Sequence, residues 1–190
     1  MNIFSMIISA VLINNIVLAK FLGVCPFLGV SKNSKSAVGM GLAVTFVIFC
    51  SSMITYALQY LVLVRLNIEY MQLISFILVI AAFVQFVEMF LKKSSPALYK
   101  SLGVYLPLIT TNCTVLYVTQ ANISEGYNLL QTVVNSIAVP LGFMLVLFIF
   151  SCIRERLDSA ETPAAWKGNP VALVVAGLLA LALSGLAGIA

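Results

Sequence analysis

The stretch FLGVCPFLGV, residues 21–30, decides how the chain folds, because it combines two conflicting signals. Phe, Leu and Val are typical of a membrane-embedded segment, whereas glycine and proline are the residues least suited to a helix interior. Lys20 precedes the stretch and Lys32 follows it. The sequence therefore predicts a helix that is broken at residues 23–26, inside an apolar run, with the thiol of Cys25 on the break.

The composition is that of an integral membrane protein. Of the 190 residues, 62% are hydrophobic and only 8% are charged, and the mean hydropathy is +1.12. A soluble domain carries roughly 25% charged residues, so this chain lacks the polar surface that water requires. The chain contains no histidine, which excludes His-ligated haem, His-based metal sites and histidine proton relays. The first lysine is Lys20, so no basic region precedes the first apolar run, which argues against a cleaved signal peptide.

The predicted fold is all-α, with six transmembrane helices. Each apolar run is long enough to cross a hydrocarbon core of about 30 Å. The runs lie at 3–19 (continuing through 21–30), 37–58, 71–91, 98–120, 129–152 and 170–190. The first run is interrupted by Asn14-Asn15 and again at 21–30, and the fourth by Gly103, Pro107 and the triplet 111–113. Spans one and four are therefore expected to be discontinuous.

Basic residues alternate between the loops and predict the orientation. They fall in loops one, three and five, at Lys32, Lys35, Lys92, Lys93, Lys100, Arg154, Arg156 and Lys167, whereas loop two has only Arg65 and loop four has none. The positive-inside rule places loops one, three and five in the cytoplasm and both termini outside. Only loop five looks soluble and it is short, so any nucleotide or flavin chemistry must occur on another polypeptide.

An inverted repeat is expected within a single membrane domain of residues 1–190. The half-repeats, about 1–95 and 96–190, contain three spans each, and an odd number of spans reverses their orientation. NNIVL at 14–18 resembles NCTVL at 112–116, which supports the repeat weakly. Matched breaks in both halves point to a site near the bilayer midplane. That site would bring Cys25 and Cys113 together.

Two thiolates at such a site suit soft metals such as iron in iron–sulfur clusters, zinc or copper(I). An iron–sulfur cluster generally needs four cysteine ligands, so this chain would supply half of a shared site. Buried cysteines often serve only as small hydrophobic residues, and Cys50 and Cys152, which have no break beside them, are interpreted in this way. A small secondary transporter with Asn- and Thr-lined breaks, and a structural anchor for redox subunits, remain alternative functions.

Six stretches resemble the A subunits of the Rnf complex, in order along nearly the whole chain. They are INNIVLAKFLGVCPFLGVSK, GLAVTFVIF, FVQFVEM, YLPLITTNC, GFMLVLFIFSCIRERLD and PAAWKGNPVALVVAGL. CPFLGVSK and LPLITTNC are specific, because hydrophobic composition alone does not produce them. The E subunit of the sodium-pumping NADH:quinone reductase is a close relative, but Pro26 after the cysteine and the sequence Thr-Thr-Asn-Cys at 110–113 favour the Rnf A subunits.

The resemblance implies a bacterial inner-membrane subunit of a ferredoxin:NAD⁺ oxidoreductase that couples electron transfer to Na⁺ or H⁺ translocation. By analogy, Cys25 and Cys113 supply half the ligands of a [2Fe–2S] cluster. The homologous Rnf E subunit, inserted with opposite topology, supplies the other two in a pseudo-symmetric heterodimer. The other Rnf subunits and membrane lipid are the remaining partners. No nucleic-acid partner, covalent flavin or complete active site is expected on this chain.

A few polar residues inside the spans have open roles. Glu88 is the only acid within a predicted span. A structural role at the membrane–water interface, where it can pair with Lys92, is favoured over a role in ion conduction. Asn14, Asn15 and Asn112 flank the breaks, and capping of freed backbone is favoured over ion coordination. Lys20 either snorkels to the interface or places positive charge near a cluster.

Overall fold

The computed structural model describes residues 3–31, 34–64, 69–94, 108–109, 112–158 and 168–187, and all regular secondary structure in these ranges is helical. The α-helices are α1 (Ile3–Ile8), α2 (Ile16–Lys20), α3 (Val24–Val30), α4 (Ser34–Leu58), α5 (Gln72–Ser94), α6 (Cys113–Ser124), α7 (Leu129–Asp158) and α8 (Asn169–Ala187). Two π-helical turns, Ser9–Ile13 and Gln59–Leu63, extend α1 and α4, and a 3₁₀ turn, Glu69–Met71, precedes α5. The all-helical prediction is confirmed for the described residues.

Three segments within the described ranges are long and apolar enough to cross a membrane. They are Ser36–Leu61, Gln72–Met89 and Leu129–Leu157, and Pro170–Gly185 is a shorter apolar helix. These segments correspond to the second, third, fifth and sixth predicted runs. The part of the fourth run before residue 108, with Gly103 and Pro107, lies outside the described residues, and so do Lys32, Arg65, Lys100 and Lys167. The number of spans remains a prediction.

The first run is discontinuous, as the sequence predicts. Between residues 3 and 30 it consists of α1 with its π-helical turn, then α2, then α3. One interruption lies at Asn14-Asn15 and the other at residues 21–23. No helix in this region continues for more than two or three turns, so its backbone groups depend on capping side chains and on neighbouring helices.

The chain forms two compact units, Met1–Leu42 with Ala138–Ala190, and Ala43–Ile137. In the first unit, α8 packs against α2 and against the π-helical turn Ser9–Ile13. In the second unit, α5 packs against α6. The boundaries of these units differ from those of the expected half-repeats, about 1–95 and 96–190. A compact unit and a symmetry repeat are different properties of a fold, so the inverted repeat stays a prediction.

Gly142 allows α7 to approach the first run closely. A Cβ at this position would lie 3.0 Å from the Cα of Val11, 3.1 Å from the Val11 carbonyl oxygen and 3.1 Å from Nδ2 of Asn15. Two of these contacts involve backbone atoms, which cannot rotate out of the way as the end of a flexible side chain can.

We therefore expect Gly142→Ala to destabilise the protein by about 1–3 kcal/mol, the usual cost of overpacking. Gly39→Ala is the matched control, because a Cβ at Gly39 would meet nothing within 4 Å and alanine favours the helix by up to about 1 kcal/mol. The thermal unfolding midpoints of the detergent-solubilised variants measure the difference. Equal midpoints for the two variants would show that the backbone at Val11 moves away at little cost.

Candidate functional site

Cys25 lies in the first turn of α3, directly after the second interruption of the first run. Phe21, with a left-handed φ of 54°, is the C-cap residue that follows α2, and the N–H groups of Phe21 and Leu22 both donate to the carbonyl of Ile16. Gly23, with φ of 78°, is the N-cap of α3, and Cys25 follows as its second residue with an exposed side chain. A bulky residue with positive φ costs on the order of 1–3 kcal/mol, and such strain concentrates at functional sites.

The prediction that the helix is broken at residues 23–26 is wrong by two to three residues. The interruption lies at residues 21–23, and Cys25 and Pro26 are already helical. Proline is tolerated here because a first-turn N–H has no acceptor within the helix, and the fixed φ of proline suits the helix. Both Phe21 and Gly23 have left-handed backbone conformations. Of these two residues, only the glycine indicates such a conformation in the sequence.

Helix α3 is held from the side by α7. The rings of Phe27 and Phe150 stack with centroids 4.2 Å apart. Four residues further along α7, one guanidinium nitrogen of Arg154 donates to the Leu28 carbonyl at 2.8 Å and to Oγ of Ser31 at 2.8 Å. The Leu28 carbonyl belongs to the last turn of α3, where acceptors lack helical partners and a positive charge is favourable. These contacts fix both the position and the end of the helix that carries Cys25.

Arg154 was not recognised as a site residue from the sequence, which placed it in a cytoplasmic loop. The loop part of that prediction is wrong, because Arg154 and Arg156 both lie within α7 and Arg154 is only 4% exposed. The cytoplasmic side of the membrane stays a prediction for this end of α7. The sequence signal for a buried Arg154 is its position directly after the apolar run GFMLVLFIFSC. An arginine that continues the helix at this point can turn its side chain toward neighbouring helices. Arg156, by contrast, is exposed.

Cys113 is the first residue of α6 and is also exposed. Asn112 is the N-cap: its backbone is extended, with ψ of 114°, and its Oδ1 accepts a hydrogen bond from the Thr114 N–H at 3.0 Å. Asn112 and Thr114 are both buried, at 5% and 0% exposure. Of the interruption expected at 111–113, Asn112 is non-helical, Cys113 is already helical, and residue 111 lies outside the described residues. An asparagine cap holds the thiol-bearing end of the helix.

The same kind of cap occurs at the first interruption of the chain. Asn15 precedes α2, and its Oδ1 accepts from the Val17 N–H at 3.2 Å. Its Nδ2 donates to the carbonyls of Val11 at 3.0 Å and Gly142 at 2.9 Å. The capping role favoured for Asn15 and Asn112 is thus confirmed. Asn14 instead is exposed and donates to Oγ of Ser9 at 3.0 Å.

The two caps do not align as the sequence suggested. The match of NNIVL with NCTVL pairs Asn14 with Asn112, whereas the capping residue of the first half is Asn15. Cys113 also lies on the capped helix itself, while Cys25 lies one helix after α2. The two thiols therefore share a setting, the first turn after an interruption, without being at equivalent positions of the short sequence match.

Asn15 should contribute more to stability than Asn112, because its side chain makes three hydrogen bonds rather than one. We expect Asn15→Ala to cost about 2–4 kcal/mol and Asn112→Ala about 1 kcal/mol. Thermal unfolding midpoints of the two variants, with Asn112→Ser as a variant that retains the cap, measure the order. A larger loss for Asn112→Ala would mean that Asn112 has a role beyond capping α6.

The four cysteines fall into two classes. Cys25 and Cys113 are exposed, Cys50 and Cys152 are half-buried, and none is joined in a disulfide. Cys25 belongs to the first unit and Cys113 to the second. No group of three or more Cys, Asp or Glu side chains that could hold a metal occurs among the described residues.

The two charged residues with open roles lie near the ends of apolar segments. Lys20 is the last residue of α2 and is exposed. Glu88 is half-buried near the end of the apolar segment Gln72–Met89, one turn before the exposed Lys92 and Lys93. These positions suit an interface between the membrane and water, and the roles of both residues stay predictions.

Comparison with known proteins identifies the family. The family model described as "Rnf-Nqr subunit, membrane protein" matches residues 3–190. The chain belongs to the Rnf-Nqr family of membrane subunits. The A subunit of the Na⁺-translocating ferredoxin:NAD⁺ oxidoreductase complex of Acetobacterium woodii is 54% identical over 188 residues, which cover 99% of this chain and 98% of the relative.

Other Rnf-Nqr relatives give the same result. The A subunit of the ion-translocating oxidoreductase complex of Syntrophotalea carbinolica is 54% identical over 99% of this chain and 97% of its own length. The corresponding A subunit of a Vibrio cholerae strain is 50% identical over 97% of this chain and 95% of its own length. The resemblance found in the sequence motifs is thereby confirmed, and the chain is an Rnf-Nqr membrane subunit over its whole length.

Proposed function

We propose that this chain is the A subunit of an ion-translocating ferredoxin:NAD⁺ oxidoreductase complex of the Rnf type. The observation that carries this proposal is the full-length identity of 54% to a relative with that name. The E subunit of a Na⁺-translocating NADH:quinone reductase, from the other branch of the family, is the alternative. It is less favoured because the relatives described above are A subunits of ion-translocating oxidoreductases.

Within this complex, Cys25 and Cys113 supply half the ligands of an intramembrane [2Fe–2S] cluster, and the homologous E subunit supplies the other half. The donor set fits, because thiolates are the usual ligands of iron–sulfur iron and two are half of the common four. Exposure supports the choice among the four cysteines, since a ligand shared with a partner must lie at the surface of its own chain, as Cys25 and Cys113 do.

The residues around each thiol keep it in place. Phe150 and Arg154 fix α3 and with it Cys25, and Asn112 caps the helix that begins with Cys113. Such supporting contacts orient metal ligands and influence the properties of the site they build. When bound, the cluster supplies a one-electron carrier in the membrane interior, between cytoplasmic redox subunits and flavins that face outside.

The proposed architecture is a six-span inverted repeat in the bacterial inner membrane, with both termini outside and loops one, three and five in the cytoplasm. The interruptions before Cys25 and Cys113 support it, because a broken helix in each of two halves is a usual mark of a midplane site. The exposed Lys92 and Lys93 at the end of α5 support a cytoplasmic loop three. Membrane lipid and the remaining Rnf subunits complete the environment.

The experiment that tests the proposal is iron analysis and low-temperature EPR of the dithionite-reduced complex, with ferredoxin-dependent NAD⁺ reduction measured on the same preparation. A [2Fe–2S] signal that depends on the exposed pair of thiols supports the assignment. A complex that reduces NAD⁺ normally without such a signal would favour the anchor role. A protein that moves a solute without iron or redox activity would favour the secondary transporter.

A further inference from the structure

Helix α5 exposes one side along most of its length. Its buried residues recur every four positions, at Phe76, Ile80 and Val84, so they lie on one side of the helix. The residues of the opposite side are exposed and recur at intervals of three or four positions. We call them the α5 face: Ile74, Leu78, Ala82, Gln85 and Met89.

The chain covers α5 less than it covers the other two long apolar segments. Only 17% of the segment Gln72–Met89 is buried, against 44% of Ser36–Leu61 and 56% of Leu129–Leu157. On the α5 face, Leu78 is 72% exposed and Met89 is 66% exposed. Apolar side chains in this position face either lipid or another protein, so the polar member of the face decides between the two.

Gln85 is the member of the α5 face that does not suit lipid. The three long apolar segments contain five Asn or Gln residues, of which only Gln85 is exposed. The other four are buried or half-buried: Gln59, Gln72, Gln131 and Asn135. No hydrogen bond among the described residues involves the side-chain amide of Gln85, and Glu88, three residues further along α5, does not pair with it there. The described part of the chain therefore leaves this amide unsatisfied.

The depth of Gln85 keeps its amide away from water. It lies four residues, or about 6 Å along the helix axis, from the middle of the apolar run 71–91, within a hydrocarbon core of about 30 Å. Lys92 and Lys93, which mark the end of this span, are about 10 Å further along the helix. A glutamine side chain lacks the long stem with which lysine reaches the interface. The amide therefore needs a partner at its own depth.

The chemistry of the α5 face selects a protein helix over lipid. Lipid tails offer neither a donor nor an acceptor, so an unpaired amide among them is strongly unfavourable. Glutamine side chains in membrane helices instead form hydrogen bonds across helix–helix interfaces, where small residues let the backbones approach. Ala82, three residues before Gln85, supplies such a small residue on the same face. Because an amide both donates and accepts, it is best matched by an amide, a hydroxyl or a carboxyl group on the partner helix.

We propose that the α5 face is the docking surface for a membrane-spanning helix of another subunit of the complex, and that this helix presents a hydrogen-bonding side chain to Gln85. The relatives are each named as one subunit of a complex, which favours a different subunit over a second copy of this chain. The identity of that complex rests on the proposed function, whereas the exposed amide within a span does not. The surface lies on a different helix from Cys25 and Cys113, so the cluster assignment does not already imply it.

Two measurements on the complex test the surface. In the first, Gln85→p-benzoylphenylalanine is irradiated in native membranes, and mass spectrometry of the products is expected to identify a membrane-spanning peptide of another subunit. In the second, the ratio of bound to free partner subunit is measured at a fixed detergent concentration. Gln85→Leu should lower this ratio about threefold to tenfold, the usual effect of losing one interhelical hydrogen bond in a membrane. Gln72→Leu is the matched control, because Gln72 is a half-buried glutamine at the start of the same helix and is not on the α5 face.

Crosslinks from position 85 that go only to lipid, to a second copy or to another part of this chain would overturn the proposal, and so would equal ratios for Gln85→Leu and Gln72→Leu. Ferredoxin-dependent NAD⁺ reduction of the same preparation separates this proposal from the proposed function. Normal activity with crosslinks only to lipid overturns the docking surface alone. A crosslink to an identified co-purifying membrane subunit, in a preparation that contains all its subunits but lacks this activity, overturns the proposed function and leaves the docking surface standing.

Discussion

Cys25→Ser and Cys113→Ser are each expected to remove one [2Fe–2S] signal from the EPR spectrum of the reduced complex and to abolish ferredoxin-dependent NAD⁺ reduction. A serine alcohol is a hard and poorly acidic ligand, so the cluster loses one of its four soft thiolates. The iron content should fall by about two atoms per complex. Either variant alone should have the full effect, because a cluster shared between two subunits needs both ligands from this chain.

Cys50→Ser and Cys152→Ser are the matched controls, since both thiols are half-buried in long helices away from any interruption. They should retain the signal, the iron and the activity. The measurement requires that each variant complex still assembles, which gel electrophoresis of the purified complex establishes. An assembled complex that keeps its spectrum and activity without Cys25 or Cys113 would make these thiols packing residues and would return the transporter and anchor functions to first place.

The interruptions that carry this site could be predicted from the sequence to within a few residues. Asparagine pairs and glycine in apolar runs conflict with a continuous helix, and the structure has its caps at Asn15 and Asn112. The error concerned Pro26, which was taken to lie on a break. A proline that ends one helix and a proline that begins the next give the same local signal, and only the geometry of Phe21 and Gly23 distinguishes the two cases.

Contacts between distant segments were not predictable from a single sequence. The positive-inside rule treats every arginine near an apolar run as a loop charge, but Arg154 lies inside the fold against Leu28 and Ser31. The buried polar side chains at the end of α4 were missed for a related reason. Ser51, Ser52 and Gln59 are small or neutral residues in a strongly apolar run, and hydropathy alone does not indicate whether they face lipid or the interior.

Arg154→Met should be the most damaging substitution outside the two proposed ligands. Methionine retains much of the length of arginine but donates no hydrogen bond, so the Leu28 carbonyl and the Ser31 hydroxyl lose a charged donor at 2.8 Å each. The expected loss is about 2–4 kcal/mol of stability. Helix α3 has only seven residues and depends on such contacts, because an isolated helix of that length is not stable in water.

Arg156→Met is the control that distinguishes the positioning of α3 by Arg154 from a role of its positive charge in membrane orientation. Both variants remove one positive charge from the same end of α7, but Arg156 is exposed and Arg154 is buried. If Arg154 positions the helix of Cys25, Arg154→Met lowers the thermal midpoint and alters the line shape or occupancy of the [2Fe–2S] signal, whereas Arg156→Met changes neither. Arg154→Lys, which keeps the charge and can reach one acceptor, should fall between them. If both Arg→Met variants instead change insertion to the same extent and leave the signal of the assembled complex intact, Arg154 acts as a topological charge, and the position of Cys25 does not depend on it.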